Sequence, residues 1–126
     1  MNRSFNKYPE WTIQQKEILD AIPNIIISGC AGSGKTQLAC HLAIKYSDSL
    51  KVAILVYTKS LRTFIKEYIE SLTNNNITIF YEHEWKSRNY PKFDIIIVDE
   101  YQDFSLKDIE NVINYSNLGV YLFGDE

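Results

Sequence analysis

The chain has 126 residues, of which 45% are hydrophobic and 23% charged, a composition typical of one globular domain with one core. The formal net charge is −3, which disfavours nucleic-acid binding through bulk charge but leaves open a narrow, stacking-based contact with a single strand. Without a membrane-spanning apolar run or a secretory signal, the sequence predicts a cytoplasmic protein with no membrane partner.

The predicted elements begin after residues 1–10, which are polar and expected to be flexible, so the domain is placed at 11–126. Residues 12–15, Thr-Ile-Gln-Gln, fit a capping box and start a helix that ends at Pro23. The first half of the chain then predicts a strand over 24–28, a helix over 36–46, a strand over 52–57 and a helix over 61–72. A turn at 74–76 leads to a strand over 77–81 and a polar and aromatic connection over 82–92. The last elements are a strand over 95–98, a helix over 105–115 capped by Ser105, and a strand over 120–123. Strands that alternate with helices predict an α/β fold, a three-layer sandwich around a mostly parallel sheet.

Residues 29–36, Gly-Cys-Ala-Gly-Ser-Gly-Lys-Thr, fit the phosphate-binding pattern G-x-x-x-x-G-K-[ST] between a predicted strand and a predicted helix. In such a P-loop, backbone N–H groups face phosphate oxygens and the helix adds its positive N-terminal end. The candidate phosphate-binding residues are Gly29, Ala31, Gly32, Ser33, Gly34 and Lys35. Lys35 should reach the β- and γ-phosphates of a bound nucleotide, and the Thr36 hydroxyl should ligate Mg²⁺. A glycine-rich turn before a helix would explain the glycines, but not Lys35 and Thr36 at this spacing.

Two adjacent acids follow the apolar strand predicted over 95–98. We expect Asp99 to hold Mg²⁺, directly or through water, and Glu100 to take a proton from the attacking water as general base. Alternatively, both are solvated residues after a strand. Because ligands bind at the carboxyl ends of parallel strands, the P-loop, this acid pair and Asp125 should meet at one sheet edge.

The P-loop and residues 98–104, Val-Asp-Glu-Tyr-Gln-Asp-Phe, together resemble motifs I and II of superfamily 1 helicases of the UvrD/Rep type. The string Asp-Glu-x-Gln-Asp is far more specific than a general acid pair. Residues 122–125 resemble the start of motif III in the same family. The resemblance implies a RecA-like ATPase domain that uses ATP and Mg²⁺, with further nucleotide contacts from Gln102 and Asp125.

The resemblance also assigns residues outside the phosphate site. Gln15 matches the glutamine of the Q-motif, which implies recognition of adenine; its alternative role is the capping box, and both roles are compatible. Residues 56–60 resemble motif Ia, which implies that Tyr57, Thr58 and Lys59 contact single-stranded DNA. Alternatively, Tyr57 ends a strand and Thr58 or Ser60 caps the next helix.

Residues 80–85 weakly resemble motif Ib, and a base would then stack on Trp85, although a loop tryptophan is as often packed over the core.

The resemblance further implies a second RecA-like domain, or a partner subunit, that supplies arginines to the nucleotide. An arginine supplied in this way is worth ~10³–10⁵ in rate, so this domain alone should hydrolyse ATP slowly. The chain is then either a piece of a helicase or a small protein that completes its site with a partner. A rival function is a nucleotide-gated binding module without motor activity. A small-molecule kinase is disfavoured, because it has no need for the water-activating Glu100.

Overall fold

The computed structural model describes residues 12–21, 23–28 and 34–124. The predictions for residues 1–10, for P-loop residues 29–33 and for Asp125 lie outside the described residues. The described elements are α1 (Ile13–Asp20), β1 (Ile25–Ser28), α2 (Lys35–Ser47), β2 (Val52–Val56), α3 (Lys59–Glu70), β3 (Ile77–Tyr81), α4 (Glu82–Ser87), β4 (Phe93–Asp99), a 3₁₀ turn (Tyr101–Asp103), α5 (Leu106–Asn114) and β5 (Ser116–Gly124). Within these ranges, no helix has the length and apolar character needed to cross a bilayer.

The five described strands form one sheet in the order β1-β5-β4-β2-β3, and every neighbouring pair is parallel. The sheet thus confirms the predicted α/β fold. The register aligns the carboxyl ends of the three strands that carry the site: Ser28 of β1 lies opposite Gly124 of β5, and Phe123 of β5 lies opposite Asp99 of β4. The predicted convergence of these strand ends at one edge of the sheet is therefore observed.

Helices cover both faces of the sheet, which makes three layers. On one face, α2 and α3 pack their apolar side chains against Ile95 and Ile97 of β4. On the other face, α4 and α5 pack against Ile96 and Val98 of the same strand. All four side chains are buried, which is why β4 is an almost continuous apolar run in the sequence.

Capping confirms two predicted helix starts. Thr12 accepts a hydrogen bond from the Gln15 N–H, and the Gln15 side chain accepts one from the Thr12 N–H, so the predicted capping box is present. The Ser105 side chain accepts from the Asp108 N–H at the start of α5.

The structure corrects two predicted boundaries. The connection predicted over 82–92 contains α4, a six-residue helix that was missed because so short a segment shows no apolar periodicity. The last strand begins at Ser116 rather than at residue 120, since its first residues are polar but pair with the start of β4.

Candidate nucleotide-binding site

The P-loop meets α2 at Gly34. Its backbone is left-handed, with φ 79° and ψ 21°, a conformation that glycine adopts without the steric cost a Cβ would bring. The Gly34 carbonyl accepts from the Leu38 N–H at 2.9 Å, so the helix is formed from its first turn. Lys35 and Thr36 are therefore the first two residues of α2, at its positive end.

A hydrogen bond joins the start of α2 to the end of β4. The Thr36 hydroxyl donates to Oδ2 of Asp99 at 2.7 Å, although the two residues are 63 positions apart in the chain. The other carboxylate oxygen, Oδ1, accepts from the Glu100 N–H at 3.1 Å. Both oxygens of the fully buried Asp99 are thus held in place.

Burial raises the pKa of Asp99 from 3.8 to about 6. The Thr36 hydrogen bond opposes this increase, while the negative charge of Glu100 adds to it. The positive charge of Lys35 also lowers this pKa. Lys35 is itself buried, as a lysine seldom is unless an anionic group compensates its charge.

Glu100 leaves the strand in a left-handed conformation, with φ 57° and ψ 51°. For a residue with a side chain this costs on the order of 1 kcal/mol, and such residues cluster at active sites. In this conformation the Glu100 side chain no longer follows the alternating directions of the side chains along the strand, and the chain enters the 3₁₀ turn. In that turn, Gln102 Nε2 donates a hydrogen bond to Glu100 Oε2 at 2.5 Å. Gln102 therefore holds the carboxylate that the sequence assigns as general base.

The 3₁₀ turn lies directly against the end of β5. A Cβ placed on Gly124 would come within 2.1 Å of Gln102 Oε1 and 2.7 Å of Tyr101 Cδ1. A larger residue would require the Gln102 side chain and the Tyr101 ring to shift, so Gly124 allows the turn to approach the strand in this arrangement. This packing role was not predicted, although a glycine at the end of a strand can indicate a close approach of backbone or side chains.

Gln15 performs the capping role and also lies beside the P-loop. Its Nε2 atom is 3.3 Å from the position that a Cβ on Gly34 would occupy. The nucleotide contacts of Gln15, Gln102 and Asp125 stay predictions, as do the metal and catalytic roles of Lys35, Thr36, Asp99 and Glu100.

The side-chain oxygen atoms at this site are ligands of the kind that bind Mg²⁺. Thr36 and Asp99 offer oxygen ligands, and Mg²⁺ is usually held by one or two carboxylates together with phosphates and several waters. Over the ranges 12–21, 23–28 and 34–124, no group of three or more His, Cys, Asp or Glu side chains could hold a metal by itself. Two protein oxygen ligands, without a third ligating side chain in the described ranges, are what a Mg²⁺ site completed by phosphate oxygens requires.

The three residues of the motif Ia resemblance follow β2, the next strand along the sheet. Tyr57 is 45% exposed, and its ring meets the Phe104 ring edge-on at 5.4 Å between centroids. Thr58 caps α3 by accepting from the Leu61 N–H at 3.3 Å, as the alternative interpretation of this residue expected. Lys59 is exposed in the first turn of α3.

Trp85 requires a correction. Its side chain is 2% exposed and lies on the inner side of α4, in the core. The ring packs edge-on against Tyr90, with the ring centroids 4.7 Å apart. A base cannot stack on a ring that is buried in the core. The exposed ring of this segment is instead His83, which stacks on Tyr81 with centroids 6.4 Å apart. In the sequence, a single histidine such as His83 gave no indication of a functional role.

A family model described as the viral superfamily 1 RNA helicase core domain matches residues 25–126. This range includes the P-loop, Asp99 and Glu100, and all five strands. The chain belongs to this family. The superfamily 1 helicase assignment is therefore established, whereas the finer UvrD/Rep type is not.

Two solved structures share the fold of this helicase core. The UvsW helicase from bacteriophage T4 has a TM-score of 0.73 and 16% sequence identity over 96% of this chain. The C-terminal domain of a possible DNA helicase from Lactobacillus plantarum WCFS1 has a TM-score of 0.55 and 14% identity over 90% of the chain and 85% of that domain. These likenesses show the RecA-like fold alone. The chain spans 54% of the UvsW chain, about half its length. A search of curated proteins gives no match.

Proposed function

We propose that this helicase core binds ATP with Mg²⁺, hydrolyses it slowly by itself, and couples hydrolysis to the handling of a single-stranded nucleic acid. The observation that carries the proposal is the 2.7 Å hydrogen bond from Thr36 to the buried Asp99, next to the buried Lys35. In P-loop NTPases, a P-loop hydroxyl and a strand-end aspartate are the two protein groups that hold Mg²⁺.

Each residue of the site has a defined part in this proposal. Lys35, at the start of α2, binds the β- and γ-phosphates. Thr36 and Asp99 hold Mg²⁺, which when bound neutralises negative charge that develops on the phosphates. Glu100 orients the attacking water and accepts its proton, and Gln102 keeps the Glu100 carboxylate in position.

Gln15 recognises adenine from the first turn of α1, beside Gly34. The backbone groups of residues 29–33 and the side chains of Gln102 and Asp125 complete the proposed nucleotide contacts. We also propose a cytoplasmic location.

The site needs an arginine from elsewhere. The two arginines among the described residues, Arg62 and Arg88, both lie near Glu84 of α4, at 3.6 and 3.9 Å. They are thus engaged away from the P-loop and Asp99. We infer that a second RecA-like domain or a partner subunit supplies the missing positive charge, and that turnover by this domain alone is correspondingly slow.

The nucleic acid that the domain handles is proposed to contact Tyr57, Thr58 and Lys59, which lie at the carboxyl end of β2, with a base stacked on the exposed Tyr57 ring. The family description favours RNA. The string Asp99-Glu100-Tyr101-Gln102-Asp103, which resembles the UvrD/Rep type, favours single-stranded DNA instead. Binding of matched RNA and DNA oligonucleotides, measured by fluorescence anisotropy, distinguishes the two.

One rival function has a specific observation in its favour. The lack of a described arginine at the site agrees with a nucleotide-gated binding module, which holds ATP tightly without hydrolysing it. Steady-state hydrolysis with and without a single-stranded oligonucleotide separates the two functions. Stimulation that is lost in Glu100→Gln supports the motor, and tight nucleotide binding without any turnover supports the gated module.

A further inference from the structure

A groove runs along the outer edge of β3, at the opposite end of the described sheet from β1. β3 is the last strand in the described sheet and has a partner, β2, on one side only. The groove has a volume of about 340 Å³. Its floor is the strand itself over residues 77–80, and its walls are α3 and the start of α4. Ligand pockets in proteins begin at about this size.

The backbone of β3 offers unpaired hydrogen-bonding groups to this groove. The Tyr81 N–H points away from β2, since it donates to Glu84 Oε1 of α4 at 3.3 Å. Backbone groups two residues apart along a strand point the same way. The N–H and C=O groups of Ile77 and Ile79 therefore face the groove, in the spacing of a strand that accepts another strand.

The charged residues that line the groove carry one positive charge in excess. They are Arg62 and Lys66 of α3, Arg88 just after α4, and two acids, Glu70 of α3 and Glu84 of α4. Glu84 is already shared by Arg62 and Arg88. In addition, Arg62 Nε is buried and has no hydrogen-bond partner among the described residues, an arrangement that costs free energy until an acceptor is supplied.

We propose that this groove binds an extended acidic peptide segment of a partner protein, which adds to β3 as a sixth strand. The unpaired backbone of Ile77 and Ile79 would pair with the peptide backbone, and acidic side chains would meet Arg62, Lys66 and Arg88. A second copy of this chain fits less well, because β3 lies recessed between α3 and α4 and two recessed edges cannot approach each other. The inference does not depend on ATP hydrolysis.

The test uses the ¹⁵N-labelled 126-residue chain and a blocked peptide of alternating glutamate and valine, followed by NMR. The peptide should shift the amide signals of Ile77 and Ile79 and slow their hydrogen exchange. Two control peptides should leave both amides unchanged: one with lysine in place of glutamate, and one N-methylated at every backbone amide so that neither of its edges can donate hydrogen bonds to a strand.

Variants test the contribution of charge. Lys66→Gln together with Arg62→Gln should weaken peptide binding about tenfold, which corresponds to about 1.4 kcal/mol. Lys66→Gln alone changes an exposed side chain, so it should leave the fold intact and weaken binding less. Lys107→Gln, an exposed change on α5, is the matched control and should have no effect.

Three outcomes would overturn the proposal. In the first, the acidic peptide leaves the amide signals of Ile77 and Ile79 unchanged, which would mean that the charged walls only protect the sheet edge from aggregation. The N-methylated peptide binds as tightly as its parent, so no strand is added. A single-stranded oligonucleotide shifts the two amides while the peptide does not, so the basic residues serve a nucleic acid.

Discussion

Thr36 and Asp99 are joined by a hydrogen bond of 2.7 Å between the first turn of α2 and the last residue of β4. The bond exists because β1, β5 and β4 are parallel neighbours whose carboxyl ends lie in register. The chain thereby brings the end of its P-loop to a fully buried carboxylate.

Replacement of Asp99 by asparagine should stabilise the nucleotide-free domain while it weakens binding of Mg²⁺ and nucleotide. Because the folded pKa, about 6, is above the ordinary value of 3.8, ionisation of Asp99 costs stability as pH rises from about 4 to 6, and the full cost is present above pH 6. At about 1.4 kcal/mol per pKa unit, the difference between 3.8 and about 6 predicts a gain on the order of 3 kcal/mol at pH 8. Urea unfolding at pH 8 and at pH 4.5 measures it.

The gain from Asp99→Asn should be clearly smaller at pH 4.5, because the carboxyl of the folded protein, with a pKa of about 6, is already protonated there and no longer carries the cost of ionisation. Asp94→Asn is the matched control. Hydrogen bonds from the Lys51 N–H and the Asn117 side chain lower the pKa of Asp94, so its replacement should bring no gain at pH 8. Equal gains from both variants would contradict the role of burial at Asp99.

Replacement of Lys35 by alanine should weaken ATP binding by about ten- to a hundredfold, since a hydrogen bond to a charged group contributes about 1.5–3 kcal/mol. Isothermal titration calorimetry with a non-hydrolysable ATP analogue measures the loss. Lys45→Ala on the same helix is the control, because Lys45 contacts Asp20 and the Leu19 carbonyl rather than the site. If Lys35→Ala leaves the affinity unchanged, the P-loop assignment is wrong.

Gln102→Ala should lower kcat, because it removes the hydrogen bond that positions the Glu100 carboxylate, and should also raise KM, because it removes a proposed nucleotide contact. Gly124→Ala should act in the same direction, since its Cβ would displace the Gln102 side chain and the Tyr101 ring. Overpacking of this kind also costs about 1–3 kcal/mol of stability. Single-turnover and steady-state hydrolysis give both constants, and a loss confined to KM would show that Gln102 contacts nucleotide instead.

Trp85 and Tyr57 should separate stability from nucleic-acid binding. Trp85→Ala removes a buried aromatic side chain and should destabilise the fold by about 3–5 kcal/mol. Tyr57→Ala removes a half-exposed ring and should have a much smaller effect on stability, while it weakens binding of a single strand by about 1–3 kcal/mol. Thermal unfolding and fluorescence anisotropy check the two effects. The reverse pattern would restore Trp85 as the stacking residue.

Local patterns in the sequence predicted most of the fold. The capping box at Thr12, the isoleucine runs of β1 and β4 and the apolar periodicity of α3 each depend on neighbouring residues, which a sequence displays directly. The position of each motif directly after a predicted strand likewise predicted that the strand ends carrying the site meet at one edge of the sheet, where Thr36 and Asp99 are in contact. In contrast, α4 is too short to show a period, and the first residues of β5 become strand only through pairing with β4.

The parts of the site that sequence reasoning missed depend on contacts between distant residues. The approach of Gln102 to Gly124 and the burial of Trp85 against Tyr90 follow from packing between separate elements. A tryptophan in a polar segment has the same local pattern whether it faces solvent or the core. The groove beside β3 was equally unpredictable, because it requires knowledge of which strand ends the sheet.

The most direct test of the central claim is the Mg²⁺ dependence of ATP-analogue affinity in the wild-type chain, in Thr36→Val and in Asp99→Ala. If these two residues hold the metal beside the phosphates, Mg²⁺ should tighten binding strongly in the wild-type chain and hardly at all in either variant. If Mg²⁺ tightens binding equally in all three proteins, the Thr36–Asp99 pair is not the metal site and the account is contradicted.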